Sequence, residues 1–595
     1  MRRRTFLAAL PAAALAAPLA GPLAAPALAD SRSQNPNRNR PDVGPGDRID
    51  GATFASRSAA WGLHGAAATA HPLATLAAIE ILKAGGSAVD AAVAANAVLG
   101  FAEPIACGIG GDCFVMLWDP KQGKVVGLNG SGRSPRGLSL ATVRARAKNG
   151  FIPSHGAISV SVPGAVDAWW SLHQRYGKLP WKSLFEPAIR HATEGAPITQ
   201  NVAYYLERSF SAFTRPGSGI EEVENFKAVW APEGRAPVEG EVFKNPRLAA
   251  TYRRIAEGGG REFYEGETAR AIEAYFKRIG GWMTRADLAA HRSEWVDPVS
   301  SSYRGVDVWA LPPNSQGIAT LQLLNILEQF DVKAMGFQSA AAIHHAVEAK
   351  RLAFEDRARH YADPAFYKAP IEHLVSKAYA KERAALIRPD RILREIAPFR
   401  APSRGDTTYF TTADADGMMV SIIQSNYRGM GSGLSPDDLG FMFQDRGELF
   451  ALQDGHPNLY APGKRPFQTI IPGFATREGK PWLSFGVMGG DMQPQGQAQI
   501  ISNMVDHGLS LQEAGDAPRW HHEGGSEPTG QKLDPLGLLR LETGVPARTK
   551  AALAALGWKL GEPDGGFGGY QAVERWPGRY AAASEMRKDG MALAY

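Results

Sequence analysis

Apolar residues recur with a helical period along the first half of the chain and with a two-residue period along the second. His71-Pro72 opens a periodic segment through Ala77, Ile79, Leu82 and Val89 to Val98, broken at Gly85-Gly86, which predicts two successive helices. Phe114–Trp118 and Lys124–Leu128 predict a hairpin around Asp119-Pro120-Lys121-Gln122-Gly123. Residues 160–400 read as mostly helical, Ala340 to Tyr361 being the longest stretch, with Ile343, Val347, Leu352 and Phe354 on its apolar stripe. After Pro402-Ser403-Arg404-Gly405 the texture changes to short strands: Thr407–Thr412, a turn at Asp414-Ala415-Asp416-Gly417, and Met418–Ser425. Strands at Gly440–Phe443, Thr469–Phe474 and Trp482–Val487 and a helix from Gln495 to Val505 complete the pattern. Strands in both halves with helices around them predict an α+β fold, a four-layer αββα sandwich.

The ends and the composition narrow the class. Arg3-Arg4-Thr5-Phe6-Leu7, an Ala/Leu/Pro stretch and Ala27-Leu28-Ala29 read as a twin-arginine signal, residues 1–29, which predicts export to the periplasm and no stable membrane insertion. Residues 30–65, rich in polar residues, Pro and Gly, read as a flexible leader. Of 595 residues, 44% are hydrophobic and 21% charged, with a mean hydropathy of −0.23, as in water-soluble proteins. Removing Arg2, Arg3 and Arg4 lowers the formal charge from +5 to +2, so the pI near 9.0 is no argument for a nucleic acid partner. Cys107 and Cys113 are the only cysteines, and either a bridge or two packed thiols suits them. No metal set is read: His344 and Glu348 lack an HExxH context and read as solvated ion-pair partners, and His521-His522 has no third ligand at useful spacing.

Chemistry is sought where a hydroxyl could acquire a base. An N-terminal Thr carries one on its own residue, because its free α-amine can take the proton of its Oγ. Asp406-Thr407-Thr408-Tyr409-Phe410 offers a strand start after a Pro/Gly/Ser loop that could be cut without dismantling a core element. Gly565-Gly566-Phe567-Gly568-Gly569 has no phosphate-loop spacing and reads as packing, and Gly429-Met430-Gly431-Ser432-Gly433 is not a nucleophile elbow.

Asp406–Gly417, Gly463-Lys464-Arg465-Pro466, Gly486-Val487-Met488-Gly489-Gly490 and Asp516-Ala517-Pro518-Arg519 resemble the γ-glutamyltransferase family of N-terminal-nucleophile hydrolases. His71-Pro72-Leu73-Ala74, Gly85–Ala92, Gly108-Ile109-Gly110-Gly111, Val162-Pro163-Gly164 and Leu179-Pro180-Trp181 resemble the family's large-subunit motifs in the same order, so the likeness runs from about residue 66 to the C-terminus. The resemblance implies a zymogen that cuts itself between Asp406 and Thr407, giving a large subunit within 66–406 and a small subunit of 407–595 that stay associated. It implies Thr407 as nucleophile, Ser425 as its hydroxyl partner, the N–H groups of Gly489 and Gly490 as oxyanion donors, and no cofactor.

The family's specificity residues match less well. Ser131 stands where the family has an Arg for the substrate α-carboxylate, and Arg133, two residues on, is the candidate replacement. The residues that hold the α-ammonium in the family are replaced within Gln444-Asp445-Arg446-Gly447-Glu448, and its paired serines by Gln468-Thr469. The candidate substrate-binding set is therefore Arg133, Asn426, Tyr427, Asp445, Arg446, Gln468 and Thr469. The stretch from Phe450 to Arg465 is too short for the lid of some members. These features imply a glutathione hydrolase-like γ-glutamyl amide hydrolase or transferase of a divergent branch. The alternatives are a glutaryl-type cephalosporin acylase, or another carboxylated-amide acylase, of the same fold and, in another class, an inactive exported binding protein.

Overall fold

The computed structural model describes residues 46–394, 406–531, 534 and 536–595; the signal reading, the first part of the leader, the loop Pro402–Gly405 and the side chain of Asp406 lie outside them. Among the described residues, two seven-stranded sheets face each other. The first runs, in spatial order, Met591–Ala594, Ala66–Thr69, Asp406–Ala413, Met419–Tyr427, Asp112–Asp119, Lys124–Gly130 and Glu294–Val296. The second runs Ala60–Gly62, Arg579–Ser584, Tyr570–Trp576, Lys480–Val487, Gly473–Arg477, Val306–Ala310 and Val299–Tyr303. Each sheet interleaves segments from both sides of residue 406.

Alternation along Asp406–Ala413 assigns the layers. Tyr409 and Ala413 pack between the sheets with Phe114, Met116, Ile423, Phe474 and Val573, and Thr411 bonds Ser484 of the facing sheet at 2.7 Å. Phe410 faces the opposite way, into a helical layer, while Thr408 donates to Glu103 at 2.6 Å and Thr412 to the Ala88 carbonyl at 2.6 Å. That layer starts with Pro72–Lys83, capped by the His71 ring and begun by a proline, and Ala88–Ala102, capped reciprocally by Ser87 and Asp90. Ile318–Leu327, Ala340–His360 and Met492–Val505 cover the outside of the second sheet. The arrangement is the predicted αββα sandwich, with apolar burial on both faces of each sheet as its main favourable term.

Several local expectations differ. Gly440–Phe443 is not a strand: its three apolar side chains are all buried, and its backbone pairs with neighbouring loops through Ser432 and Leu434. The expected strand from Thr469 begins only at Gly473, because the backbone at 468–471 is bonded to Asn314, Ser315, Gln316 and Gln493 instead. The expected helix from Gln495 starts at Met492. Among the described residues five strands lie in the middle region read as mostly helical: the two-residue pair Ala196–Pro197 and Val242–Phe243, and Glu294–Val296, Val299–Tyr303 and Val306–Ala310, which join the main sheets. The leader reading fails from residue 46 onward, because that segment is pinned along its length: Asp47 pairs with Lys588 at 2.7 Å, Ala52 N–H donates to the Asp516 carbonyl at 2.8 Å and Ser56 Oγ to the Asp516 carboxylate at 2.7 Å. His344 and Glu348 are buried rather than solvated, His344 between Trp558 and the Arg388 carbonyl and Glu348 on Arg351 at 2.9 Å. Cys107 and Cys113 are buried free thiols, and burial pushes the Cys113 thiol pKa up.

Candidate active site

Thr407 is the second residue of a strand in the interior of the first sheet and is fully buried. Asp406 pairs with Tyr427 and Thr408 with Gln424, so the ladder slips by one residue at Thr407, a bulge of the kind that re-aims a side chain. Its Oγ1 lies 3.3 Å from Ser425 Oγ, which also accepts the Tyr427 N–H at 2.8 Å. Gln493 Nε2 donates to Thr407 Oγ1 at 3.4 Å, while its Oε1 accepts the Ile471 N–H at 2.9 Å. The sequence reading missed Gln493; its signal is the spacing of three residues after Gly490, which places it in the first turn of the helix that follows the glycine pair.

Gly489 and Gly490 both have positive φ, at 106° and 57°, which explains glycine at that turn. Among the described residues neither N–H finds a hydrogen-bond partner, as a donor pair kept for an oxyanion requires. The glycine-rich run read as packing buttresses this turn: Met488 N–H donates to the Gly569 carbonyl at 3.0 Å, and a Cβ on Gly568 would come within 2.5 Å of the Met488 carbonyl.

The acyl-side candidates form a second, adjoining group. Asp445 N–H donates to the Asn426 carbonyl at 3.2 Å, Arg446 Nη1 donates to Thr469 Oγ1 at 2.7 Å, and the Arg446 guanidinium lies 4.7 Å from the centre of the Tyr427 ring. Gln468 donates to Asp112 at 2.8 Å. All these residues are buried, yet among the described residues Asn426 Oδ1 and Nδ2, Asp445 Oδ2, Arg446 Nε and Nη2, and Gln468 Oε1 have no hydrogen-bond partner. Leaving one such atom unpaired costs about 1–3 kcal/mol, more when it is charged, so a cluster of them marks a place built to receive polar groups.

Its electrostatics are set by burial. Asp112, missed in the sequence, has its pKa raised to about 6 by desolvation, with Arg446 and then the Gly132 N–H and Gln468 pulling it back down. Desolvation and then Glu448 hold the Asp445 carboxyl well above the usual range, and desolvation lowers the Arg446 pKa. The large-subunit motifs support this group from below. Gln444 N–H donates to the Gly110 carbonyl at 3.0 Å, and Gly164 N–H donates to the Gly111 carbonyl at 2.9 Å. A Cβ on Gly110 would lie 2.1 Å from the Met442 carbonyl, so the GIGG run is needed for close approach.

Arg133 is not brought into the group. Its guanidinium pairs with Asp363 and Glu294, each at 3.1 Å, and lines a separate small cavity with Arg136, Asp287 and His291. Ser131 is held by Asn129 and Asn314, at 2.7 and 3.1 Å. On the other side of Gly489 a cleft of about 450 Å³ opens, lined among others by Lys350, Asp491, His521 and Glu527. Among the described residues no group of three or more His, Cys, Asp or Glu could hold a metal ion, and no helix is long and apolar enough to cross a membrane.

The gamma-glutamyltranspeptidase family model matches residues 74–595. A glutathione hydrolase-like proenzyme of Bacillus subtilis (strain 168), YwrD, is 38% identical over 451 residues, 76% of this chain and 83% of that one. The acylase ACY 1 proenzyme of Pseudomonas sp. (strain V22) is 34% identical over 544 residues, 90% of this chain and 94% of that one. Among solved structures, a cephalosporin acylase from Bacillus halodurans superposes with a TM-score of 0.83 at 40% identity, covering 91% of this chain and 98% of that chain.

Proposed function

The chain belongs to the gamma-glutamyltranspeptidase family of enzymes, and from that premise we propose that it is an exported, self-cleaving amidohydrolase whose nucleophile is Thr407. The observation that carries the proposal is the buried Thr407 hydroxyl at a bulged strand start, bonded to Ser425 and Gln493 beside a glycine turn with unengaged N–H groups. In the precursor, Thr407 Oγ attacks the Asp406 carbonyl carbon, the Asp406–Thr407 C–N bond breaks, and the acyl group passes from N to O. That shift leaves the α-amine free, and water then hydrolyses the ester, releasing the Asp406 carboxylate and the Thr407 hydroxyl. In the mature enzyme this amine takes the Oγ proton as Oγ attacks the substrate amide, and returns it to the departing amine as the C–N bond breaks. Water, or an acceptor amine, then attacks the acyl ester and restores Thr407. Gly489 and Gly490 N–H groups stabilise the oxyanion of each tetrahedral intermediate.

Because each sheet interleaves segments from both sides of residue 406, the two products, the large subunit ending at 406 and the small subunit 407–595, stay associated. The acyl group carries a carboxylate, to which Nε and Nη2 of Arg446, unpaired among the described residues, donate as a fork. The leading donor is a γ-glutamyl amide, with its α-ammonium near Asp445 and Asn426. A second reading, an acyl chain ending in a carboxylate without an ammonium, is favoured by the raised pKa of Asp445, since burial disfavours the charged carboxylate that would hold an ammonium. The cephalosporin acylase likeness supports the same reading. Assay with γ-glutamyl and glutaryl anilides separates the two: a kcat/KM preference for the glutaryl compound removes the leading one. An inactive binding protein would remain one uncut chain of up to 63.9 kDa.

A further inference from the structure

Behind the glycine turn lies a guanidinium that the reaction itself does not use. Arg357, on the helix Ala340–His360, is fully buried. Its Nη1 donates to Gln316 Oε1 and to Asp491 Oδ1, both at 2.7 Å, and its Nη2 donates to Glu527 at 2.5 Å. Gln316, also fully buried, passes the contact on in two directions. Its amide nitrogen donates to the Gly490 carbonyl at 2.9 Å and to the Thr469 carbonyl at 2.6 Å. Thr469 Oγ1 in turn accepts from Arg446 Nη1 at 2.7 Å.

One amide therefore spans the two halves of the site, tying the turn that carries the oxyanion donors to the residue that aims the acyl-side guanidinium. Arg357 fixes which way that amide faces, because only an oxygen can accept from a guanidinium, and this leaves the NH2 group for the two carbonyls. The segment itself is registered: Ser315 bridges Gln468 in parallel, Gln468 N–H donates to the Asn314 carbonyl at 2.8 Å, and Ser315 Oγ to the Ile470 carbonyl at 3.0 Å.

We propose that Arg357 and Gln316 are positioning residues that set the separation between the oxyanion donors and the Arg446 fork, and so select the length of the acyl chain between the scissile carbonyl and its terminal carboxylate. The proposal rests on the reading of Thr407 and Arg446 given above. A carboxylate held by a rigid fork and a carbonyl held by rigid donors define one span, and an acyl chain shorter or longer by a methylene satisfies only one end.

The test uses the processed enzyme, with active sites counted by the burst of released amine, and three anilides whose acyl groups are the monoacyl forms of four-, five- and six-carbon dicarboxylic acids. The wild type is expected to prefer one length by about tenfold or more in kcat/KM. Gln316→Ala, and Gln316→Glu, which keeps the bond to Arg357 but loses both donors, should lower kcat/KM for the preferred length by roughly 10–100-fold and for its neighbours by less than about threefold. The preference is thereby flattened. Arg357→Lys, which keeps one donor and loses the fork, should give an intermediate preference. Parallel losses at all three lengths per counted site, or no change, overturn the inference while leaving the catalytic reading intact. A wild type that turns over γ-glutamyl anilide but none of the three, or all three equally, also overturns it. A wild type with no turnover of any carboxylated amide overturns the functional reading as well.

Discussion

The proposed catalytic centre and the proposed acyl pocket share a wall but are built differently. Around Thr407 the polar groups are engaged: Ser425 and Gln493 bond its hydroxyl, and each has a backbone partner of its own. Around Arg446, buried polar atoms of Asn426, Asp445, Arg446 and Gln468 have no partner among the described residues. The first group sits on strands and the first turn of a helix; the second, apart from Asn426 and Tyr427, sits between strands, on the single 3-10 turn Arg446–Leu449 with Asp445 at its N-cap and on irregular chain at 468–469. On the proposed reading, chemistry common to many amides is fixed by regular structure, while the choice of acyl group falls to segments that can change without moving the sheets.

The comparison can be broken most severely at the nucleophile. Thr407→Ala should abolish self-cleavage and lower turnover by on the order of 10^4-fold or more; a normally cleaved variant, seen as two fragments on a denaturing gel, would contradict the assignment. On the pocket side, Arg446→Ala should raise KM for a carboxylated anilide roughly 10–100-fold, the worth of a charge-assisted hydrogen-bond pair, with cleavage intact. Steady-state kinetics check this, and an unchanged KM removes Arg446 from the pocket.

A subtler effect comes from Asp112, whose pKa is raised to about 6 by burial. Below that value it is neutral and Arg446 acts as an uncompensated cation; above it, the new negative charge offsets Arg446. KM for the carboxylated donor should therefore rise as pH increases through about 6, by a few-fold. Asp112→Asn should flatten that rise, and a variant that keeps the wild-type profile contradicts the assignment. The smallest effect is expected at Arg133, held by Asp363 and Glu294 outside the group. Arg133→Ala should change KM by less than about twofold, in line with a partly exposed ion pair; a tenfold rise would return it to the pocket.

The same contrast governs what the sequence could show. Layers, paired helices and the strand from Asp406 were legible because alternation and helical periodicity record which face is buried, and Thr407, Ser425, Gly489 and Gly490 came with motifs tied to those elements. Gly440–Phe443 misled because three apolar residues in a row look like a buried strand, whereas their side chains fill a helical core from a loop. Asp112, Gln316 and Arg357 carried no local signal, since their contacts lie 356, 174 and 134 residues away, and Gln493, 86 residues from Thr407, was marked only by its spacing from Gly490. Arg133 was placed by strand alternation, but no local pattern announces that Asp363 and Glu294 will claim its guanidinium.

The central claim is that a cut before Thr407 creates the catalytic residue. Its most direct test is the N-terminal sequence and intact mass of the smaller fragment of the purified active protein. A chain starting Thr-Thr-Tyr-Phe is expected; an active enzyme that stays uncut, or a fragment that begins at any other residue, would contradict it.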